Sequence, residues 1–255
     1  MDGETNLEGD VAIVTGAGQN IGQEIAERFA DAGAQVVVVD VKKDRIESTV
    51  DSIQQGGGEA IGVTADVSDE TAVIEMVQEA EDAFGPVSIL VNSAAITERA
   101  GMFELEMDEF DKILEVNLRG PFLCTREAAK SMKKSDEVGR IVNFASTSAH
   151  VAKPRTITYA MTKKAILSFT KSTANALADD NIRVNAVSPT RTGSNVGKSG
   201  ERTGSVDPDI LRGRWGEPRD QANAVMYLVS DASDFVTGSE IIVDGGALAA
   251  EYKTG

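Results

Sequence analysis

Val11-Ala12-Ile13-Val14-Thr15-Gly16-Ala17-Gly18-Gln19-Asn20-Ile21-Gly22 is the stretch from which the rest of this chain is read. Five residues rich in branched side chains give way to glycines. A helical pattern through Ile21, Ile25, Ala26 and Phe29 follows, and Gly33 stops it. This predicts strand, turn and helix in immediate succession. Glycines at such a turn let backbone N–H groups at a helix N-terminus approach a pyrophosphate. Gly16, Gly18 and Gly22 do not fall on the G-x-G-x-x-G spacing, so taken alone the motif also fits an ordinary tight turn.

Working outward, strand-like and helix-like segments alternate. Gln35–Asp40, Ala60–Ala65, Val87–Val91, Arg140–Ala145, Ile182–Val187 and Glu240–Val243 read as further strands. Between them, Lys42–Gln55, Asp69–Phe84, Asp108–Lys134, Thr156–Ala178 and Pro218–Ser230 read as helices, and Pro121 predicts a kink in the third of these. A Gly- and Ser-rich stretch from Arg191 to about residue 205 predicts a mobile substrate loop whose far end lies near 214. Buried strands separated by helices imply an α/β fold. The expected architecture is a doubly wound, seven-stranded parallel sheet of Rossmann type, helices on both faces, in a single domain over 1–255.

Composition narrows the chemistry. One cysteine, Cys124, excludes an internal disulfide, and with one histidine, His150, it excludes the usual zinc sites, so no metal is expected. A serine–histidine–acid triad could draw only on His150. The formal charge of −16 argues against nucleic-acid and anionic-membrane partners. It fits either a salt-rich cytoplasm or ordinary solubility. No run approaches the length of a membrane span, and the acidic residues 1–10 lack the apolar core of a signal peptide, so a cytoplasmic location is expected.

Asp40 strengthens the dinucleotide reading. It ends the second strand, 24 residues after Gly16, near where an acid binds an adenosine ribose. Its charge would repel a 2′-phosphate and Val41, not arginine, follows, which favours NAD over NADP. Asp66-Val67 ends the third strand, where the aspartate could meet adenine or cap the next helix. Elsewhere, Tyr159 and Lys163 lie one helical turn apart and share a face. A free phenol, with a pKa of ~10, is too weak a base at neutral pH, and a fixed ammonium nearby favours the phenolate. Such a pair by itself occurs in many structural helices.

The pair is joined by Ser146 at a strand end and Asn117 in mid-helix, and by a set of short motifs. These include Asn92-Ser93-Ala94-Ala95, Asn117-Leu118-Arg119-Gly120, Asn185-Ala186-Val187-Ser188-Pro189 and Val243-Asp244-Gly245-Gly246. Together they resemble the short-chain dehydrogenase/reductase family over nearly the whole chain. The resemblance implies that Tyr159 is the acid/base, that Ser146 polarises the substrate oxygen, and that Lys163 holds the nicotinamide ribose and lowers the tyrosine pKa. It implies that Asn117 supports a relay water. It places Gly16, Gly18, Asn20, Ile21, Asp40, Asp66, Val67, Asn92, Pro189 and Thr190 around NAD. It further implies a homotetramer or homodimer formed through the two long helices. The chain departs from the family pattern at Asn20, Ser93, Ala95 and Thr190, three of which replace glycines. Asn20 can keep the turn because asparagine tolerates left-handed φ, whereas Thr190 narrows the nicotinamide end.

His150, Arg155 and Arg191 fall near the expected substrate end. Arginine forks bind carboxylates in bidentate fashion, so a small anionic substrate is expected, such as a sugar acid or 2-keto-3-deoxy sugar acid oxidised at a secondary alcohol. Each arginine could equally pair with one of the 41 acids. Rival readings are a 3-oxoacyl-thioester (acyl-carrier-protein) reductase, a neutral sugar or polyol dehydrogenase, and a catalytically silent binding member of the fold.

Overall fold

Val11, Ile13, Val37 and Val39 pack on one side of a sheet whose other side takes Ala12, Val14, Val36 and Val38. That alternation within continuous apolar runs is what a strand covered on both faces requires. The computed structural model describes residues 5–151, 154–192 and 209–250. Its strands are β1 (Val11–Thr15), β2 (Gln35–Asp40), β3 (Glu59–Thr64), β4 (Ile89–Asn92), β5 (Gly139–Phe144), β6 (Ile182–Pro189) and β7 (Glu240–Val243). All pair in parallel, in the order β3-β2-β1-β4-β5-β6-β7. This is the Rossmann-type architecture expected from the sequence.

The helices are α1 (Asn20–Asp31), α2 (Lys43–Gln55), α3 (Glu70–Phe84), α4 (Met107–Leu114), α5 (Gly120–Met132), α6 (Ile157–Ala176) and α7 (Pro218–Val229). Ile25 and Phe29 of α1, Ile53 of α2 and Leu228 of α7 share one core layer. Met76 of α3, Leu123 and Cys124 of α5 and Ala174 of α6 share the other.

The long helix predicted over 108–134 is present as one continuous helical run, 107–132, in which a π turn at Glu115–Arg119 separates α4 from α5. The π turn lies immediately before Pro121, whose ring has no N–H to give to the preceding helical turn. Gly120 is needed there, because a Cβ would come within 2.7 Å of the Val67 side chain.

Most of the predicted mobile loop, residues 193–208, lies outside the described residues. Its flanks are described: Thr192 forms a parallel bridge with Gly216, whose N–H donates to the Arg191 carbonyl at 2.9 Å. No described helix is long and apolar enough to cross a membrane.

Candidate active site

Strand order reverses between β1 and β4, and there the loops leaving the two strands diverge. A cleft of about 390 Å³ opens at that point, beyond the C-terminal strand ends. One wall is the turn after β1. Gly16 adopts φ +67° and Asn20 φ +57°, so the asparagine does take the left-handed position. A Cβ at Gly22 would lie 2.3 Å from the Gly16 carbonyl oxygen, and one at Gly16 would lie 2.9 Å from the Ala94 backbone. The turn thus holds its shape only with bare backbone. Gln19, at the N-cap of α1, makes no side-chain cap bond. The first N–H groups of α1 are left for a ligand at the cleft, which fits the pyrophosphate of a dinucleotide.

Asp40 is almost wholly buried at the end of β2 and lines the cleft. Its Oδ2 accepts from Gly18 N–H at 3.3 Å and its Oδ1 from Lys42 N–H at 3.1 Å. Asp66 and Val67 also face the cleft. Asp66 is not the cap of α3. That role falls to Asp69, which accepts from the N–H groups of Thr71 and Ala72. Asp66 instead accepts from both the N–H and the hydroxyl of Ser68 and from Lys112 Nζ at 3.1 Å. Burial alone would raise its pKa, but the bonds from Ser68 and Lys112 hold it below the ordinary value.

Ser146, Tyr159 and Lys163 line the opposite wall, together with Pro189 and Thr190. Ser146 Oγ accepts from Ser148 N–H at 3.1 Å, and the same hydroxyl hydrogen-bonds the Tyr159 phenol. Burial pushes the Tyr159 phenol above its ordinary pKa, the hydrogen bond from Ser146 pulls it down, and the charge of Glu98 pushes it up again. Lys163 is buried, its Nζ donates to the Phe144 carbonyl at 2.6 Å, and it lies 5.5 Å from the tyrosine ring centroid. Burial pushes its pKa down to about 8. In the chain alone, then, burial raises the phenol, and the lowering found comes from Ser146 and not from Lys163.

Asn117 does not line the cleft. Both hydrogens of its side-chain amide are committed, to the Ile96 carbonyl at 2.9 Å and to Thr162 Oγ1 at 3.2 Å. Support for a relay water therefore cannot come from those hydrogens. Asn92, expected at the cofactor turn, is buried in an amide network instead. It donates to Thr125 Oγ1 and Asn143 Oδ1, and Asn143 donates to Thr170. The network ties β4 and β5 to α5 and α6.

The three residues expected around the substrate lie outside the cleft walls. His150 Nε2 meets Glu240 Oε1 at 2.7 Å, at the far strand β7. Arg155 donates twice to the Arg99 carbonyl and faces Glu104 at 3.4 Å. Arg191 is exposed just past β6, while its neighbours Thr190 and Thr192 line the cleft. Sequence reasoning also missed Arg45, Lys112 and Glu98. Arg45 lies five residues past Asp40 in the first turn of α2, a position that could have been flagged. The other two carry no local signal.

Comparison with known proteins agrees with this geometry. A family profile described as Enoyl-(Acyl carrier protein) reductase matches residues 16–247. An uncharacterized oxidoreductase, YxbG, of Bacillus subtilis is 37% identical over 95% of this chain and 92% of its own. A 2-dehydro-3-deoxy-D-gluconate 5-dehydrogenase of Dickeya dadantii is 33% identical over 96% of this chain and 97% of its own. The crystal structure of a gluconate 5-dehydrogenase from Burkholderia cenocepacia, in complex with NADP and tartrate, superposes with a TM-score of 0.88 at 30% identity, covering 96% of this chain and 98% of that one. The chain belongs to the short-chain dehydrogenase/reductase family and is an oxidoreductase acting on CH–OH groups.

Proposed function

We propose that this chain is an NAD-dependent dehydrogenase that oxidises a secondary alcohol of a small, polar, anionic substrate, of the sugar-acid or 2-keto-3-deoxy sugar-acid class, to a ketone. The observation that carries the reading is the meeting of Ser146, Tyr159 and Lys163 on one wall of a cleft whose other wall is the bare turn after β1.

NAD, when bound, supplies the hydride acceptor. The chain's own residues do the rest. Ser146 holds the substrate oxygen beside Tyr159, and the phenol oxygen takes the alcohol proton as the hydride leaves. Lys163 would hold the ribose at the nicotinamide end, and its cationic ammonium favours the phenolate. Asp40 favours NAD, because a 2′-phosphate would meet its carboxylate in a poorly solvated corner. Arg45 lines the same end and opposes that preference, so the two residues compete.

The sugar-acid class now rests on the Dickeya and Burkholderia relatives more than on Arg155, whose guanidinium is engaged elsewhere. The test is NADH fluorescence against sugar acids, keto-deoxy acids, neutral polyols and 3-oxoacyl thioesters, with NAD and NADP in parallel. Turnover of a sugar acid with NAD is expected. A kcat/KM for a polyol or thioester that exceeds every acid would overturn the substrate class. Tyr159→Phe should keep dinucleotide binding and lose turnover by about three orders of magnitude. Retained turnover would remove the acid/base role.

We also infer a homo-oligomer. Phe122 and Met161, on α5 and α6, are about half exposed, and the Phe122 ring meets Phe169 in a tilted pair at 6.4 Å, with the Arg126 guanidinium over it at 6.0 Å. Light scattering that gives a monomer mass would refute it.

A further inference from the structure

A buried carboxylate with no part in the proposed reaction is bonded to the backbone of the reacting tyrosine. Glu98, in the loop after β4, is 1% exposed. It accepts from Thr158 N–H at 2.5 Å, and both its oxygens accept from Tyr159 N–H, at 3.3 and 3.1 Å. These are among the first N–H groups of α6, which have no partner within the helix. The local cap residue does not serve them, since Thr156 makes no side-chain cap bond and its hydroxyl is buried without a partner. A residue about sixty positions upstream has taken its place.

We propose that Glu98 is a positioning residue for the reaction: its carboxylate caps α6 in place of a local side chain, and its negative charge, held at the Tyr159 backbone, shifts the pH range of turnover. The proposal rests on the acid/base reading of Tyr159 given above.

Two consequences follow from the geometry. The cap fixes the turn on which Tyr159 is mounted, so the phenol's aim at the cleft depends on a contact between two distant segments. The charge also opposes formation of a phenolate. The groups facing the tyrosine are Ser146 from the end of β5, Lys163 from its own helix, and Glu98 from the β4 loop. Lys112, across the cleft, is paired with Asp66, and Arg155, just before α6, is held against Arg99 and Glu104. Glu98 is thus the one acid found acting on the phenol from the described residues.

The experiment compares wild type, Glu98→Gln and Glu98→Ala by the pH profile of kcat/KM in the oxidative direction. A second, substrate-free readout is the phenolate absorbance of Tyr159, isolated by subtracting the Tyr159→Phe chain. Glu98→Gln keeps an oxygen acceptor for the helix and loses the charge. Its acid limb and its Tyr159 titration are both expected to move to lower pH. Glu98→Ala also loses the cap, and its plateau kcat/KM is expected to fall about tenfold. A Glu98→Gln titration that superimposes on wild type, even with a lowered melting temperature, would reduce Glu98 to a structural cap and overturn the charge role. Wild-type plateau kcat/KM in Glu98→Ala would overturn the positioning role. If no alcohol is turned over by any chain while the titration still shifts, the reaction assignment fails and the electrostatic part of the proposal stands.

Discussion

The side chain of Asn117 pairs with the backbone of Ile96 as a neighbouring strand would. Oδ1 accepts from Ile96 N–H and Nδ2 donates to Ile96 C=O, each at 2.9 Å. The same Nδ2 reaches Thr162 on α6, one turn beyond Tyr159. A single amide thus locks the π turn to the β4 loop and to the helix that carries the reacting pair.

Loss of that amide should be felt in stability as well as rate. Asn117→Ala leaves the N–H and C=O of Ile96, both part-buried, without their amide partner, at a cost of about 1–2 kcal/mol. Urea denaturation checks this. A change below about half a kcal/mol would mean that the loop re-pairs elsewhere.

Gly22→Ala should abolish dinucleotide binding in a chain that still folds. The added methyl would press on the Gly16 carbonyl at 2.3 Å, and only the turn can give way. Fluorescence titration with NADH is the measurement, and near-normal affinity would refute the close approach.

Asp40→Ser should shift coenzyme choice toward NADP, by at least about tenfold in the ratio of kcat/KM values, since one full charge is removed from a buried corner beside Arg45. An unchanged ratio would assign selectivity to other residues.

Lys163 predicts a pH dependence of folding. Its pKa is about 8 in the folded chain against 10.5 ordinarily, so the unfolded chain holds the proton more tightly. The penalty is complete below pH 8 and is relieved as pH rises from 8 to 10.5, so stability from this group increases over that window. Lys163→Met, which cannot titrate, should lack the rise. The difference between the two chains is on the order of 3 kcal/mol across the window. Parallel denaturation curves at pH 7 and pH 10 from wild type and variant would count against it.

The sequence made strands easy to see and cross-chain partners hard. Strand β2 runs from Gln35 to Asp40 as read from its valines, because a buried parallel strand is written in consecutive residues. The wall formed by Ser146, Tyr159 and Lys163 was legible because Ser146 follows a strand end and Tyr159 and Lys163 lie one turn apart near the start of one helix. The π turn was not, since it leaves the apolar spacing of its flanking helices almost intact and only the i→i+5 bonding distinguishes it. His150 could not be placed from sequence because its partner, Glu240, lies 90 residues away. Glu98 was hidden for a similar reason: its partners are backbone groups 60 and 61 residues downstream, and backbone leaves no mark in composition.

The sheet's reversal between β1 and β4 has one more consequence. The residues placed around the adenosine end, from Gly16 through Val67, precede Ile96 apart from Lys112, which reaches back to Asp66, and every residue of the reacting wall follows it. A chimera that swaps residues 11–92 between two relatives is expected to carry coenzyme preference across the splice and leave alcohol selection behind, so the two traits can be inherited separately.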